Sequence, residues 1–503
     1  MLRKIRLVCA LVVFVLITGL FLDFTGTLHT WLGWLAKIQF LPALLALNVG
    51  VVLLLIVLTL VLGRIYCSVI CPLGVFQDVV SWFSGRRKKK KYRFSYSNEV
   101  KWLRYGVLVL FVVAMIVGIG SFVALLAPYS SYGRIAQNLF SPIYIWGNNL
   151  LAYFAERAGS YAFYEKDVWL RSLPTFIIAV CTFTAIVIFA WKNGRTYCNT
   201  ICPVGTVLGF FSRFSLLHPA LDTSKCKNCS LCSRRCKAAC IDYKNHRIDY
   251  SRCVACMDCL DTCKHDAIHL QWGWKKAEKT NENKSAQSVT SEQVDMARRT
   301  FLVGAAIATT SAALAQEKKK VDGGLAVIED KIAPKRITPI TPPGSLSADN
   351  MAKHCTACQL CVAACPNDVL RPSTDIMKLM QPTMSYERGY CRPECTKCSE
   401  VCPAGAIRPI TRADKSATQI GHAVWIKKNC VPLTDGVECG NCARHCPTGA
   451  ITMIASDASD PDSLKVPAVN TERCIGCGAC ENLCPARPFS AIYVEGHEMH
   501  RIV

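Results

Sequence analysis

Six short runs, each holding four cysteines, limit what this chain can fold into more than any other feature. The first is Cys226, Cys229, Cys232 and Cys236, and the second is Cys253, Cys256, Cys259 and Cys263. The third is Cys355, Cys358, Cys361 and Cys365, and the fourth is Cys391, Cys395, Cys398 and Cys402. The fifth has a wide first gap, with Cys430, Cys439, Cys442 and Cys446, and the sixth is Cys474, Cys477, Cys480 and Cys484. Three thiolates spaced two apart wrap one iron–sulfur cube. The fourth cysteine, often followed by proline, reaches the neighbouring cube. The runs therefore come in pairs and predict about six [4Fe-4S] clusters.

Other uses of cysteine fit poorly. Zinc sites take two CxxC pairs or a Cys/His mixture, without a third cysteine two residues on. Disulfide frameworks belong to small secreted domains that lack a core. The sequence has no CxxCH for haem attachment, and no GxGxxG follows a strand to cradle a dinucleotide. So many one-electron centres in one chain point to electron transfer.

Much of the chain before the first run is apolar. Segments from about 7 to 22, 40 to 62, 105 to 128 and 173 to 191 are long enough to approach or exceed a bilayer crossing. Basic residues flank them: Arg3, Lys4 and Arg6 before the first, Arg86 to Lys91 between the second and third, and Lys192 and Arg195 after the fourth. The positive-inside rule puts these flanks in the cytoplasm and the 129–171 loop outside, with its Trp and Tyr segment along the interface. The formal charge of +22 counts every cysteine as neutral, and much of it lies at these flanks, so nucleic acid is not the expected partner.

A repeat runs through this part. GRIYCSVICP begins at Gly63 and GRTYCNTICP at Gly194, each after an apolar segment. The expected architecture is an all-α four-helix transmembrane domain of two hairpin repeats, with function at their interface. A C-x3-C pair places two thiols one turn apart on one helix face. Cys67, Cys71, Cys198 and Cys202 thus form a candidate metal or cluster site, with packed thiols and a thiol–disulfide pair as alternatives. Cys9 and Cys181 read as small core residues. Cys240, four residues past Cys236, reads as spare.

The expected domains are the membrane part (1–215), a cytoplasmic two-cluster ferredoxin module (216–272), a linker region (273–350) and a four-cluster ferredoxin domain (351–503). The ferredoxin modules are expected to be α+β. In the first of them, one cluster is expected on Cys226, Cys229, Cys232 and Cys263, and the other on Cys253, Cys256, Cys259 and Cys236. Spacing does not decide how the last four runs pair. Within the linker, Arg298 and Arg299 precede Phe301, Leu302 and an apolar run ending in Ala313-Leu314-Ala315. That is the pattern of a twin-arginine export signal, which places the part beyond 315 in the periplasm and raises cleavage there.

Residues from about 1 to 270 resemble the NapH-type membrane ferredoxins, which have four spans, two C-x3-C-P motifs and a two-cluster module. Residues from about 296 to 500 resemble the NapG/MauM-type ferredoxins, with a twin-arginine signal and four cluster motifs. The resemblance implies a fusion of two proteins found separately elsewhere. It implies a menaquinol dehydrogenase of the bacterial inner membrane, drawing on the quinone pool and passing electrons to a periplasmic terminal reductase or cytochrome, as in periplasmic nitrate reduction. A cluster-carrying assembly or redox-sensing role is the alternative. Quinol oxidation needs a base, for which Asp23 and His29 (outer side) and Gln77, Asp78 and His218 (inner side) are the candidates. Arg64 and Arg195 are expected to meet headgroups, or carbonyls at a helix end.

Overall fold

A computed structural model describes residues 2–86, 94–273 and 329–502. Most of the basic run 86–91, the twin-arginine-like segment 298–315 and the cleavage position after Ala315 lie outside the described residues.

The described part of residues 2–212 is mostly helical and includes the short helices α2 (Thr27–Leu32) and α3 (Trp34–Lys37). The helices α1 (Leu2–Leu22) and α11 (Leu173–Asn193) have 21 residues each and are long and apolar enough to cross a membrane. A proline opens α11, and Gly194 at φ 70° ends it. The second and third apolar segments are not continuous helices, contrary to the expectation of four unbroken spans. The second divides into α4 (Phe40–Leu45) and α5 (Val49–Leu62). Leu47 takes a positive φ at the break, and the Asn48 side chain caps α5 by accepting from the Val51 amide. The third divides into α7 (Lys101–Val117) and α8 (Gly120–Leu126), where Gly118 at φ 85° terminates α7.

Apolar side chains point outward along these helices, among them Val15 (64% exposed), Leu54 (64%) and Ile116 (77%). Cys9 and Cys181 also face this exterior and are not core residues. Each sits on the side of its helix turned away from the bundle. The helix α9 (Pro128–Ile135) is buried along its whole length and packs against α11 and against α6 (Pro72–Gly85). Beyond it, α10 (Ser141–Arg157) exposes Ile143, Leu150 and Phe154.

The cysteine-rich parts are small α+β units with two-stranded antiparallel sheets. In the first, β1 (Leu217–Leu221) pairs with β4 (Ile268–Trp272), and between them β2 (Ile241–Asp242) pairs with β3 (Arg247–Ile248). In the last part, β5 (Leu370–Pro372) pairs with β6 (Pro382–Met384). There β7 (Thr418–Trp425) also pairs with β10 (Ile492–Ile502), and β8 (Ile451–Asp457) with β9 (Asp460–Val469).

These two parts meet opposite ends of α1. At its start Arg3 pairs with Asp258 (2.8 Å) and Asp261 (3.2 Å) of the first unit. Past its end, Lys397 of the last unit donates to the Thr25 carbonyl (3.0 Å). The same end is held by Arg171 to Asp368 (3.2 Å), Asn138 to Gln359 (3.2 Å) and Ser121 to the Ile376 carbonyl (2.9 Å). Twenty-one helical residues rise about 31 Å, which is the thickness of a bilayer core.

His500, at the end of β10, shares a 3.0 Å hydrogen bond with Thr341. Burial and the neighbouring His497 push it down to about 4 from an ordinary 6.5. A depressed histidine favours folding while neutral. The unfolded chain takes up its proton near pH 6.5, so this contribution is lost as pH falls from there towards 4. Thermal melts of His500→Gln are expected to show a flatter pH dependence than the parent over that window. Parallel curves would remove His500 from the account.

Candidate iron–sulfur sites

Four of the six runs share one backbone device. The middle cysteine is flanked by two residues in the left-handed region: Asn228 and Ser230, Ala255 and Met257, Ala357 and Gln359, and Gly476 and Gly478. Such alternation curls the chain, so that three thiols face one point and successive amides turn inward. The fourth and fifth runs lack it, in keeping with their longer first gaps. A second left-handed residue follows three positions after the last cysteine in five runs: Ala239, Asp266, Asp368, Gly405 and Gly449. It turns the chain back, and the amides of Ile407, Ala450 and Ala491 donate to Cys402, Cys446 and Cys484.

The thiols gather across runs as well as within them. Cys236 lies within electrostatic reach of Cys253, Cys256 and Cys259, as the exchanged-ligand pattern requires. Cys226 and Cys229 surround Cys232. In the last part, Cys402 stands beside Cys355, Cys358 and Cys361, while Cys365 stands beside Cys391 and Cys398. Cys484 joins Cys430 and Cys442, and Cys446 joins Cys474 and Cys477. Of the pairings that spacing left open, this geometry is the exchange between neighbours, third with fourth and fifth with sixth. Among the described residues no three His, Cys, Asp or Glu close to the spacing of a single metal ion. Thiols around an iron–sulfur cube stand farther apart than that.

Cys240, read as spare, packs against two of the run thiols. It is buried, its Sγ lies 3.4 Å from that of Cys236, and it also bonds to Cys253. The three thiols line an apolar cavity with Ala238, Ile248 and Val254.

The two C-x3-C pairs converge. Cys67, Cys71, Cys198 and Cys202 are all buried, and Cys202 lies within electrostatic reach of the other three. Arg64 and Arg195 are fully buried and do not meet headgroups. Each reaches across the repeat axis: Arg64 donates to the Cys198 carbonyl (3.1 Å), and Arg195 to the Cys67 carbonyl. Gly74 and Gly205 make room, since a Cβ there would meet Arg195 at 3.0 Å or Arg64 at 2.8 Å.

The candidate bases separate into different roles. Asp78 is an ionic hub for Arg195 (2.7 Å), Arg6 (3.1 Å) and Lys237 (3.6 Å). Gln77 donates to Cys198 Sγ (3.3 Å). The His218 ring lies edge-on to Tyr250, with Nδ1 3.2 Å from the Leu216 carbonyl. Asp23 and His29 meet at 3.1 Å just past α1. Burial alone would raise the Asp23 carboxyl, but His29, Thr25 and the Gly26 and Leu28 amides hold it well below the usual range. The other ring nitrogen of His29, Nε2, is buried and has no hydrogen-bond partner among the described residues.

Comparison with known proteins agrees with this geometry. A family profile described as a 4Fe-4S binding domain matches residues 44–91 and 174–221, the two halves of the repeat. A second, a 4Fe-4S dicluster domain, matches 354–431 and 437–487. The ferredoxin-type protein NapH of Escherichia coli is 25% identical over 249 residues, covering 48% of this chain and 72% of NapH. The methylamine utilization ferredoxin-type protein MauM of Methylophilus methylotrophus is 31% identical over 170 residues, covering 32% of this chain and 72% of MauM. The chain belongs to the NapH/MauM-like ferredoxins, as a fusion of the two. The ferredoxin-type protein NapF of Escherichia coli is 30% identical to the fusion over 161 residues, 31% of this chain and 87% of NapF. No solved structure matches it.

The ferredoxin fusion is an iron–sulfur electron-transfer protein, and its glycines show how tightly the thiol loops are built. Gly478 at φ 78° lies against the ring of buried Tyr386, whose hydroxyl donates to the Gly476 carbonyl (2.6 Å). Gly478→Ala would add about 1–2 kcal/mol of backbone strain and about 1–3 kcal/mol of overpacking. The expected result is protein short of about four iron atoms per chain, read by iron analysis and visible absorbance. Full iron content would contradict it.

Proposed function

We propose that the fusion oxidises menaquinol and passes the electrons through six [4Fe-4S] clusters to a periplasmic terminal reductase or cytochrome. In this reading residues 1–215 cross the inner membrane four times, with α4–α5 and α7–α8 as broken spans. Residues 216–272 face the cytoplasm and 351–503 the periplasm. The 24 cysteines of the six runs are the ligands.

The observation that carries the reading is the Asp23–His29 pair and what lies beside it. The pair sits at the outer end of α1, where Lys397, next to Cys398, donates to Thr25. Ala46, in the break between α4 and α5, lies 3.5 Å from where a Cβ of Gly405 would be, three residues past Cys402. Broken helices at such a point favour a binding site at the repeat interface. The reaction is QH2 → Q + 2 H⁺ + 2 e⁻. Asp23 fixes the His29 tautomer and orientation, and Nε2 takes a proton from a quinol hydroxyl. Bound clusters supply the one-electron acceptors.

Within the last domain the runs are adjacent in a chain. Tyr129 of α9 is within reach of Cys358 and Cys402, and the Cys391 amide donates to the Cys477 carbonyl (2.9 Å). At the fifth run Leu433 and Val437 are exposed between Cys430 and Cys439, which suits docking of the acceptor. Steady menaquinol turnover with an added periplasmic-type cytochrome tests the reading. Absence of turnover, with clusters instead delivered to an apo-protein, would replace it with the assembly role.

A further inference from the structure

We propose that Cys67, Cys71, Cys198 and Cys202 together hold one further iron–sulfur centre, which relays single electrons between the inner and outer ferredoxin modules. Each repeat carries only two of these thiols, so neither repeat alone can enclose a centre. Folded together, the repeats bring all four into one buried site.

The charge balance around the thiols asks for such an occupant. Arg64 is 0% exposed, and among the described residues no carboxylate pairs with it. Its partners are the Asn199 side-chain oxygen (2.9 Å), the Ser251 carbonyl (3.1 Å), the Cys198 carbonyl (3.1 Å) and Cys67 Sγ (3.7 Å). A buried guanidinium without a counter-charge is costly. Neutral thiols do not supply that charge, whereas thiolates bound to iron do. The sulfurs also receive donors suited to a ligated thiolate: Gln77 Nε2 to Cys198 (3.3 Å) and the Gly205 amide to Cys202 (3.4 Å). Donors of this kind set the potential of an iron–sulfur centre.

The position fits a relay. On one side Arg64 lies between this site and Cys253 of the inner module. On the other, Tyr197 adjoins Cys198 and Cys202 and reaches Arg134, which in turn adjoins Cys358 of the outer module. Each electron that arrives reduces the centre by one, and its departure reoxidises it. No proton or group moves, and donor and acceptor are the clusters of the two modules. The identity of the first donor rests on the quinol reading, but occupancy of the site does not.

The test uses the full-length protein, purified without oxygen. Iron and sulfide analysis of the parent is expected to exceed six cubes by about two to four iron atoms per chain. Cys67→Ser/Cys198→Ser is expected to lose that excess and one EPR signal while keeping the rest. In sealed vesicles, dithionite outside is expected to bleach both modules of the parent but only the accessible module of the variant. Parent iron equal to six cubes, zinc at the site, or a mass showing a Cys67–Cys198 disulfide would each overturn the proposal. Because the parent count stands alone, a variant that fails to fold does not shield it. Loss of quinol oxidation with the iron excess intact would sink the quinol reading and leave this one standing.

Discussion

His29→Gln is expected to slow menaquinol-driven cluster reduction by about 10²- to 10⁴-fold, the usual contribution of a general base. Dithionite reduction should be unchanged. The geometry behind this is specific: Nδ1 is held by Asp23 at 3.1 Å, and Nε2 is buried without a partner among the described residues. Glutamine keeps a polar group at the position but cannot take up the proton. Asp23→Asn keeps the Oδ1 acceptor for the Thr25 and Gly26 groups, puts an NH2 where Oδ2 accepts from the Leu28 amide and meets His29, and loses the charge that supports a protonated imidazole. It should therefore fall between the parent and His29→Gln. A purely structural pair would change stability and leave the pH dependence of quinol oxidation alone. An active base would shift the acid limb of that profile in Asp23→Asn. Stopped-flow absorbance across pH separates the two.

The second large effect is on stability. Asp78→Ala leaves Arg6, Arg195 and Lys237 facing one another without their shared carboxylate. Removing one partner of a buried ion pair costs about 3–5 kcal/mol. Here the carboxylate serves three cations, one of them wholly buried, so the upper part of that range is expected. Lys237 also pairs with Asp258 (3.0 Å), which pairs with Arg3. The network thus ties α1, α6 and the 217–272 ferredoxin unit together. Thermal unfolding in detergent should show an early loss of cluster absorbance from the 217–272 unit. Asp78→Asn, which keeps an acceptor, should lose less. Equal melting of parent and Asp78→Ala would show that the charges are solvated and independent.

What could be read from the residues alone follows from the range of each interaction. The loops of the first, second, third and sixth runs were legible because a CxxCxxC loop is set by its own spacing. Gly476 and Gly478 even announce the left-handed backbone, whereas Met257 and Gln359 adopt it with no such signal. Pairing among the last four runs was not legible, since the choice depends on how the loops stack. The breaks in the second and third apolar segments were hidden too. Hydropathy is the same on both sides of Leu47-Asn48, and a leucine at positive φ leaves no compositional trace. Arg64 and Arg195 looked like flanking charges because the partner of each lies in the other repeat. Cys240 fell outside every four-cysteine run, and only the fold brings it to Cys236 and Cys253. Asp23 and His29, six residues apart, were legible as candidates on one side, but not as a hydrogen-bonded pair. Their meeting required the turn after α1.

The central claim is that quinol electrons enter the clusters of this chain. Its most direct test is rapid mixing of the anaerobic full-length protein with a menaquinol analogue, following cluster bleaching and freeze-quench EPR. The account predicts reduction within seconds, with signals from the outer four-cluster domain among the first to appear, and loss of that reduction in His29→Gln. Clusters that stay oxidised under menaquinol yet reduce fully with dithionite would contradict it.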